Sequence, residues 1–216
     1  MRILKVLWNK YDKKKVADLP RVQFEGRIFI VQTEAEADKA VSYLLSQSLL
    51  GFDTESRPSF RVGEVHPVAL LQVATHDTCF LFRLNRIDMP KSVLQLLGDK
   101  KVKKVALSWH DDIQRLQQRK KFKVGEFFDL QSHVGELGIE DMGLQKLYAN
   151  VFGEKISKGK QLSNWEADVL TESQMNYAAT DAWACVRLYE ELERLKQTKD
   201  YILKKVEPEP QKQQEV

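Results

Sequence analysis

Cysteine, long apolar runs and clustered histidines are scarce in this sequence, and each shortage excludes a class of protein. The two cysteines among 216 residues, Cys79 and Cys185, are too few for a disulfide scaffold, so we expect them to be reduced and buried. No run of about 18 apolar residues occurs, so we expect no membrane span. The N-terminus lacks the apolar core of a signal peptide, and these shortages together predict a cytoplasmic protein. The histidines lack the spacing of metal ligands, which argues against a zinc site.

A strong excess of charge of either sign is also missing. The 34 Lys and Arg residues stand against 31 Asp and Glu residues, and the net charge of +3 permits a polyanionic partner without implying one. Basic runs occur at 13–15, 100–104 and 119–123, and each of them alone is typical of a solvated surface segment. An apolar fraction of 43% with a charged fraction of 30% indicates a soluble globular protein.

The length suits one domain with little left over. We predict a single domain over residues 1–206, which starts with an irregular arm of about the first 22 residues, ending near Leu19-Pro20. Residues 207–216 contain two prolines, three glutamines and no apolar residue before the last one. Such a segment cannot bury enough surface to offset the entropy of ordering it, so we predict a disordered tail.

Between these ends, short apolar runs alternate with segments of helical period. The predicted order is β-α-β-β-β-α-β-α-β, followed by helices that close with a long one from about Glu172 to Lys196. Three consecutive strands, at 49–53, 68–74 and 79–84, are joined by short connections and must therefore be antiparallel. The later alternation of strands and helices implies parallel pairing. We predict an α/β domain with a mixed sheet, first antiparallel and then parallel, flanked by helices.

Two carboxylates end the first of these three strands. Asp53 and Glu55 are alternate residues, so both side chains point to one face of the sheet. Two acids on one face repel each other, and a hard divalent cation would offset that repulsion. A single Asp-x-Glu pair is nevertheless common at solvated strand ends, and this pair alone does not establish a metal site.

Tyr177 and Asp181 lie four residues apart in a strongly helical stretch, so they share one helix face. Small alanines surround Asp181 and let this helix approach other elements closely, which predicts a partly buried carboxylate that needs a partner. The partner could be a nearby Arg or Lys instead of a cation, although Arg187, six positions later, faces away.

Asp112 follows a predicted strand and begins a helix. An acid in the first helical turn is favoured by the helix dipole whatever its function, and Asp111 is expected to serve only that purpose. Asp112 shares the helical spacing of Ile113 and Leu116, which would turn its side chain toward the sheet. We therefore include Asp112 with the candidate site residues.

The acids belong to a series of motifs that resembles a known family. Four segments follow one another along the chain. They are Phe-Asp-Thr-Glu with Asp53 and Glu55, Val-Ala-Leu-Leu-Gln-Val-Ala, His-Asp-Asp-Ile-Gln-Arg-Leu with Asp112, and Tyr-Ala-Ala-Thr-Asp-Ala with Tyr177 and Asp181. They resemble the DEDDy class of 3′–5′ exonucleases, in the branch of ribonuclease D and the Werner-type exonuclease domain. The resemblance runs from about residue 23 to residue 195 and implies an RNase H-like mixed sheet.

The resemblance implies that terminal phosphodiesters of DNA or RNA are hydrolysed with two divalent ions, Mg²⁺ or Mn²⁺, to release nucleoside 5′-monophosphates. It implies that Asp53 bridges both ions, that Glu55 and Asp181 hold the first, and that Asp112 supports the second mainly through water. Tyr177 would orient the attacking water. The implied partner is a nucleic acid with a single-stranded 3′ end or a short overhang.

Candidates for substrate contacts rest on weaker evidence. Arg61 and Lys158 lie near the motif residues in sequence and could contact phosphates. Trp109 and Phe60 could stack on a base, although an aromatic residue beside an apolar strand is more often part of the core. Two alternatives stay open: a non-catalytic nucleic-acid-binding module on the same fold, and a protein-interaction domain whose acids are solvated ends of strands and helices.

Overall fold

The computed structural model describes residues 4–206, so the tail predicted at 207–216 lies outside the described residues. Eight strands and eight α-helices are formed in this range. The strands are β1 (Lys5–Trp8), β2 (Arg27–Val31), β3 (Leu49–Ser56), β4 (Val68–Ala74), β5 (Thr78–Arg83), β6 (Lys103–Ala106), β7 (Phe127–Asp129) and β8 (Tyr201–Lys204). The helices are α1 (Lys13–Val16), α2 (Glu34–Leu44), α3 (Leu84–Ile87), α4 (Lys91–Gly98), α5 (Trp109–Arg119), α6 (Leu130–Val134), α7 (Leu144–Phe152) and α8 (Glu172–Thr198). None of the described helices is long and apolar enough to cross a membrane.

Six strands form one mixed sheet in the order β2-β5-β4-β3-β6-β7. The strands β3, β4 and β5 pair antiparallel, as the short connections between them predict. The strands β6 and β7 add in parallel on one side, and β2 adds in parallel to β5 on the other. The predicted mixed sheet is confirmed, and β3 lies in its interior.

Helices cover both faces of this sheet. On one face, apolar residues of α2, α4 and α5 form a core cluster with strand residues such as Phe52 and Val73. On the other face, α8 packs across the central strands through three alanines, and α6 and α7 extend that layer. This is the three-layer arrangement that alternating strands and helices indicate.

The contact between α8 and β3 is unusually close. A Cβ atom added to Gly51 would lie 2.0 Å from the carbonyl oxygen of Ala182 and 2.8 Å from a methyl carbon of Val186. Only a residue without a side chain allows this approach of helix backbone to strand backbone. Because Gly51 is two residues before Asp53, the same contact brings α8 to the strand that carries the acids.

The N-terminal arm is more regular than predicted. It was expected to be irregular, but it contains β1 and α1, and β1 pairs in parallel with β8 in a separate two-stranded sheet. Asn150 of α7 fastens the arm, since its side-chain amide donates to the Trp8 carbonyl at 2.7 Å and its oxygen accepts from the Trp8 amide at 2.9 Å. Strands of four residues that pair across nearly the whole chain leave no periodic signal in the sequence.

Candidate active site

Three carboxylates meet between β3 and α8. Asp53 and Glu55 alternate along β3 and face α8, as their spacing predicts. Asp181 faces them from α8 and is 6% exposed. One oxygen from each of the three carboxylates lies within 4.8 Å of the others. Of the four acids expected to meet in one site, Asp53, Glu55 and Asp181 therefore converge within the described residues.

Asp112 lies beside this trio and not within it. The strand β6 pairs with β3 only as far as Gly51, and α5 begins just after β6 ends, so the start of α5 lies along the open edge of β3. There the Asp112 carboxylate accepts a hydrogen bond of 2.5 Å from the hydroxyl of Thr54, the residue between the two β3 acids. Asp112 thus borders the trio from the opposite side to α8.

The start of α5 is held by Asp129. One oxygen of Asp129 accepts from the Ser108 amide at 3.0 Å, and the other accepts from the Trp109 amide at 2.9 Å. Asp129 also caps α6 through the Gln131 amide, as its position after the predicted strand indicates. The N-cap of α5, Ser108, has a left-handed backbone with φ of 58°, and its side chain makes no capping bond. Asp129 therefore supplies the cap that fixes the direction in which Asp112 points.

Tyr177 lies one helical turn before Asp181 on α8, so the two side chains share one helix face, and both line the same pocket. The tyrosine ring packs 6.0 Å from that of Trp165, which is fully buried, as expected for a core residue. The helix α8 starts with a capping box between Thr171 and Gln174 that satisfies its first amides. A well-capped first turn and a packed ring together hold the phenol over the carboxylates.

Burial raises the pKa of every acid in the site, and repulsion by other site acids adds to this for Asp53 and Glu55. Burial raises the pKa of Asp53, and the nearby charges of Asp181 and Asp112 raise it further. Burial and then the Asp53 charge raise the pKa of Glu55 to about 10. Burial raises the pKa of Asp181 to about 7 and that of Asp112 to about 6, against opposing hydrogen bonds from Tyr177 and Thr54. Without a cation, the cluster resists ionisation.

The residues present fit a hard divalent cation. The three carboxylates offer oxygen ligands at mutual distances that one ion can span, and oxygen is the ligand that Mg²⁺ and Mn²⁺ prefer. One oxygen of Asp181 is buried and has no hydrogen-bond partner among the described residues. A buried carboxylate oxygen without a donor is costly, and a bound cation would satisfy it.

A pocket of about 620 Å³ opens over the acids. Its wall includes Lys158, which sequence position alone suggested, together with Lys13 of α1 and Lys146 of α7. Lys146 forms an ion pair of 3.2 Å with Asp141, whereas Lys13 and Lys158 have no ion pair with any described residue. Sequence reasoning missed Lys13, because its basic run is typical of a solvated surface and only the folded arm carries it to the pocket.

The other predicted substrate contacts fare differently. The prediction that Trp109 stacks on a base is wrong: the side chain is 2% exposed and packs against the rings of Phe127 at 4.7 Å and Phe52 at 5.6 Å. The indole is buried in the core, so no base can stack on it. Arg61 is exposed on the loop between β3 and β4, and Phe60 on the same loop is 81% exposed. That loop begins after Ser56, the residue that follows Glu55, so Arg61 stays a candidate contact.

Comparison with known proteins gives a consistent result. A family model described as 3′-5′ exonuclease matches residues 28–197. The mouse bifunctional 3′-5′ exonuclease/ATP-dependent helicase WRN is 31% identical over 192 residues, which cover 84% of this chain and 14% of that protein. An Arabidopsis thaliana 3′-5′ exonuclease is 28% identical over 84% of this chain and 68% of its own length. The chain therefore spans about one seventh of the mouse relative and about two thirds of the plant one.

Solved structures agree on the fold. The EXO domain of Aedes aegypti Nibbler superposes with a TM-score of 0.74 at 22% identity, over 82% of this chain and 93% of that one. RNase D of Trypanosoma brucei in complex with RNA U12 superposes with a TM-score of 0.69 at 19% identity, over 78% and 63% of the two chains. The mixed sheet with its flanking helices is thus the RNase H-like sheet of exonuclease domains.

Proposed function

This chain belongs to the 3′-5′ exonuclease family, and from that premise we propose that it hydrolyses terminal phosphodiesters of nucleic acids from the 3′ end, using divalent metal ions and releasing nucleoside 5′-monophosphates. The observation that carries the proposal is the convergence of Asp53, Glu55 and Asp181 within 4.8 Å of one another. Crowded, buried acids cost stability, so a protein that keeps them needs a cation to offset that cost. They line a pocket that also carries lysines.

Two Mg²⁺ or Mn²⁺ ions are the cofactors that we propose. Asp53, Glu55 and Asp181 would hold the first, and Asp53 with Asp112 would hold the second. When bound, such ions lower the pKa of a water molecule and stabilise charge on the attacking and leaving oxygens of a phosphoryl transfer. The protein's part is to keep four carboxylates in place before the ions arrive, and the capped start of α5 and the packed α8 do this.

Tyr177 acts in this proposal as a hydrogen-bonding group and not as a base. Burial raises the pKa of its phenol, and the carboxylates of Asp181 and Glu55 raise it further, so the hydroxyl keeps its proton. A protonated phenol can donate to Asp181 and orient a water molecule with its lone pairs. The proton released by the attacking water would have to leave by another route.

The pocket carries both acidic and basic side chains, and in this proposal the two kinds bind the 3′ end of the substrate in different ways. Carboxylates hold the reacting phosphate only through cations, whereas Lys13 and Lys158 are free to contact phosphate oxygens directly. A pocket of about 620 Å³ lies within the size range of small-ligand sites and accommodates a terminal nucleotide. The RNA-bound trypanosomal neighbour supports RNA as one substrate class, and DNA is the other class to be tested.

Digestion of matched DNA and RNA oligonucleotides tests the proposal. Each should carry a 5′ label and either a free or a blocked 3′ hydroxyl, and each should be incubated with Mg²⁺, Mn²⁺ or EDTA. We expect stepwise shortening from free 3′ ends, only with divalent ions, and none with Asp53→Asn. Asp38→Asn, an exposed acid on α2 on the far face of the sheet, is the matched control. Binding of oligonucleotides without any release would instead favour a non-catalytic binding module.

A further inference from the structure

Gln72 is a polar residue in an otherwise apolar part of the core. It lies in the middle of β4, its side chain is 0% exposed, and neighbouring strand residues on the same face include Leu70 and Ala74. Neither its side-chain nitrogen nor its side-chain oxygen has a hydrogen-bond partner among the described residues. A buried carboxamide with no partner costs stability, and an apolar side chain of the same size would avoid that cost.

The strand register places this carboxamide beside the candidate metal site. Gln72 of β4 pairs with Asp53 of β3 in the antiparallel ladder. Directly paired residues project their side chains to the same face, with Cβ atoms about 4.5–5.5 Å apart. Gln72 and Asp53 are therefore side by side under α8. On its other side Gln72 pairs with Leu81 of β5, which offers no polar group.

Of the two residues directly paired with Gln72, only Asp53 is polar, and Asp53 is one of the three converging acids. Metal-ligating carboxylates usually accept hydrogen bonds that fix their orientation, and loss of such a bond weakens metal binding. Described residues place no other side-chain donor across the ladder from Asp53.

We propose that Gln72 is a positioning residue for the metal site, whose amide N–H donates to the ionised Asp53 carboxylate and holds it in the orientation that binds the cation. The inference rests on the proposed function. The glutamine side chain is one methylene longer than that of aspartate, and Cβ atoms of directly paired residues lie about 4.5–5.5 Å apart, which is within reach of long side chains. The carboxamide then gains a partner when the cation is bound and lacks one when it is absent.

Gln72→Met separates this role from simple packing. Methionine preserves the size and flexibility of the side chain and removes both polar atoms. We expect its melting temperature in EDTA to equal or exceed that of the wild type. We expect the Mn²⁺ concentration that half-saturates the rise in melting temperature to increase about tenfold or more. Leu81→Met, on the next strand at the paired position, is the matched control and should bind Mn²⁺ as the wild type does.

The outcomes distinguish this inference from the proposed function. If Gln72→Met folds and binds Mn²⁺ with wild-type affinity, Gln72 is only a core residue and the inference is overturned. If the wild type itself shows no divalent-dependent rise in melting temperature, the proposed metal site fails and the inference fails with it. If Gln72→Met does not fold, Gln72→Leu is measured by titration of free Mn²⁺, and unchanged affinity there is equally decisive against the inference.

Discussion

Replacing Asp181 by asparagine should stabilise the protein in the absence of metal ions at pH 8. The Asp181 carboxylate is buried beside Asp53 and Glu55, and one of its oxygens has no partner among the described residues. In EDTA its negative charge is therefore unfavourable in the folded state and well solvated in the unfolded one. Asparagine keeps the shape of the side chain and removes the charge.

The pKa of Asp181 sets the size and the pH dependence of this effect. Burial raises that pKa from 3.8 to about 7, and a difference of this size corresponds to at most about 4 kcal/mol of lost stability. The sign follows from proton uptake on folding. The stability that the protonated Asp181 allows is fully present below pH 3.8. It is lost as the pH rises toward 7, and it stays lost above the folded-state pKa. The variant does not titrate here, so its advantage should be small at pH 4 and largest at pH 8.

Coupling to the neighbouring acids reduces the expected gain, because they lose protons less easily while Asp181 is charged. We expect about 1–2 kcal/mol at pH 8, which raises the melting temperature by about 2–8 °C for a domain of this size. Melting in EDTA between pH 4 and pH 8 measures it, with Asp38→Asn as the control. Saturating Mn²⁺ should reverse the order, since only the wild type gains fully from the ion. The reasoning is refuted if the difference in melting temperature between variant and wild type in EDTA does not depend on pH, or if the variant is the less stable of the two at pH 8.

Three further predictions follow from the geometry. Gly51→Ala places a methyl group 2.0 Å from the Ala182 carbonyl oxygen, so it should lower the melting temperature and abolish nucleotide release. Gly135→Ala is the control and should do neither, because no atom lies within 4 Å of the added methyl group. Lys13→Ala should raise KM, and the slope of log affinity against log salt concentration should decrease by about one. An unchanged slope would show that Lys13 does not contact a phosphate. Tyr177→Phe should lower kcat about 10–100-fold with unaltered Mn²⁺ affinity; a large loss of affinity would make the tyrosine structural instead.

The parts of the site that lie within one element were predictable from sequence. Alternation along a strand places Asp53 and Glu55 on one face, and a spacing of four in a helix places Tyr177 and Asp181 on another. Their meeting depends on tertiary packing. It was expected from a resemblance of ordered motifs, since nothing local in the sequence of β3 indicates that α8 lies above it.

The features that sequence reasoning missed depend on register or on distant pairing. The core position of Trp109 agrees with the alternative that its place beside an apolar strand favoured, but nothing in the sequence indicates that Asp129, twenty residues later, anchors the turn that carries it. Lys13 reaches the pocket only because the arm is folded. Gln72 becomes a neighbour of Asp53 through the ladder alone, and its place within an apolar strand gives no such indication.

The parallel pairing of β1 with β8 has a consequence for how the pocket moves. Lys5–Trp8 and Tyr201–Lys204 come from opposite ends of the described chain, so neither strand can fray without releasing the other. The segment that follows β1 supplies Val16 and Ala17 to the pocket wall. Amide hydrogen exchange in both strands should therefore occur in one concerted opening, and each opening loosens the rim against which a nucleotide would rest.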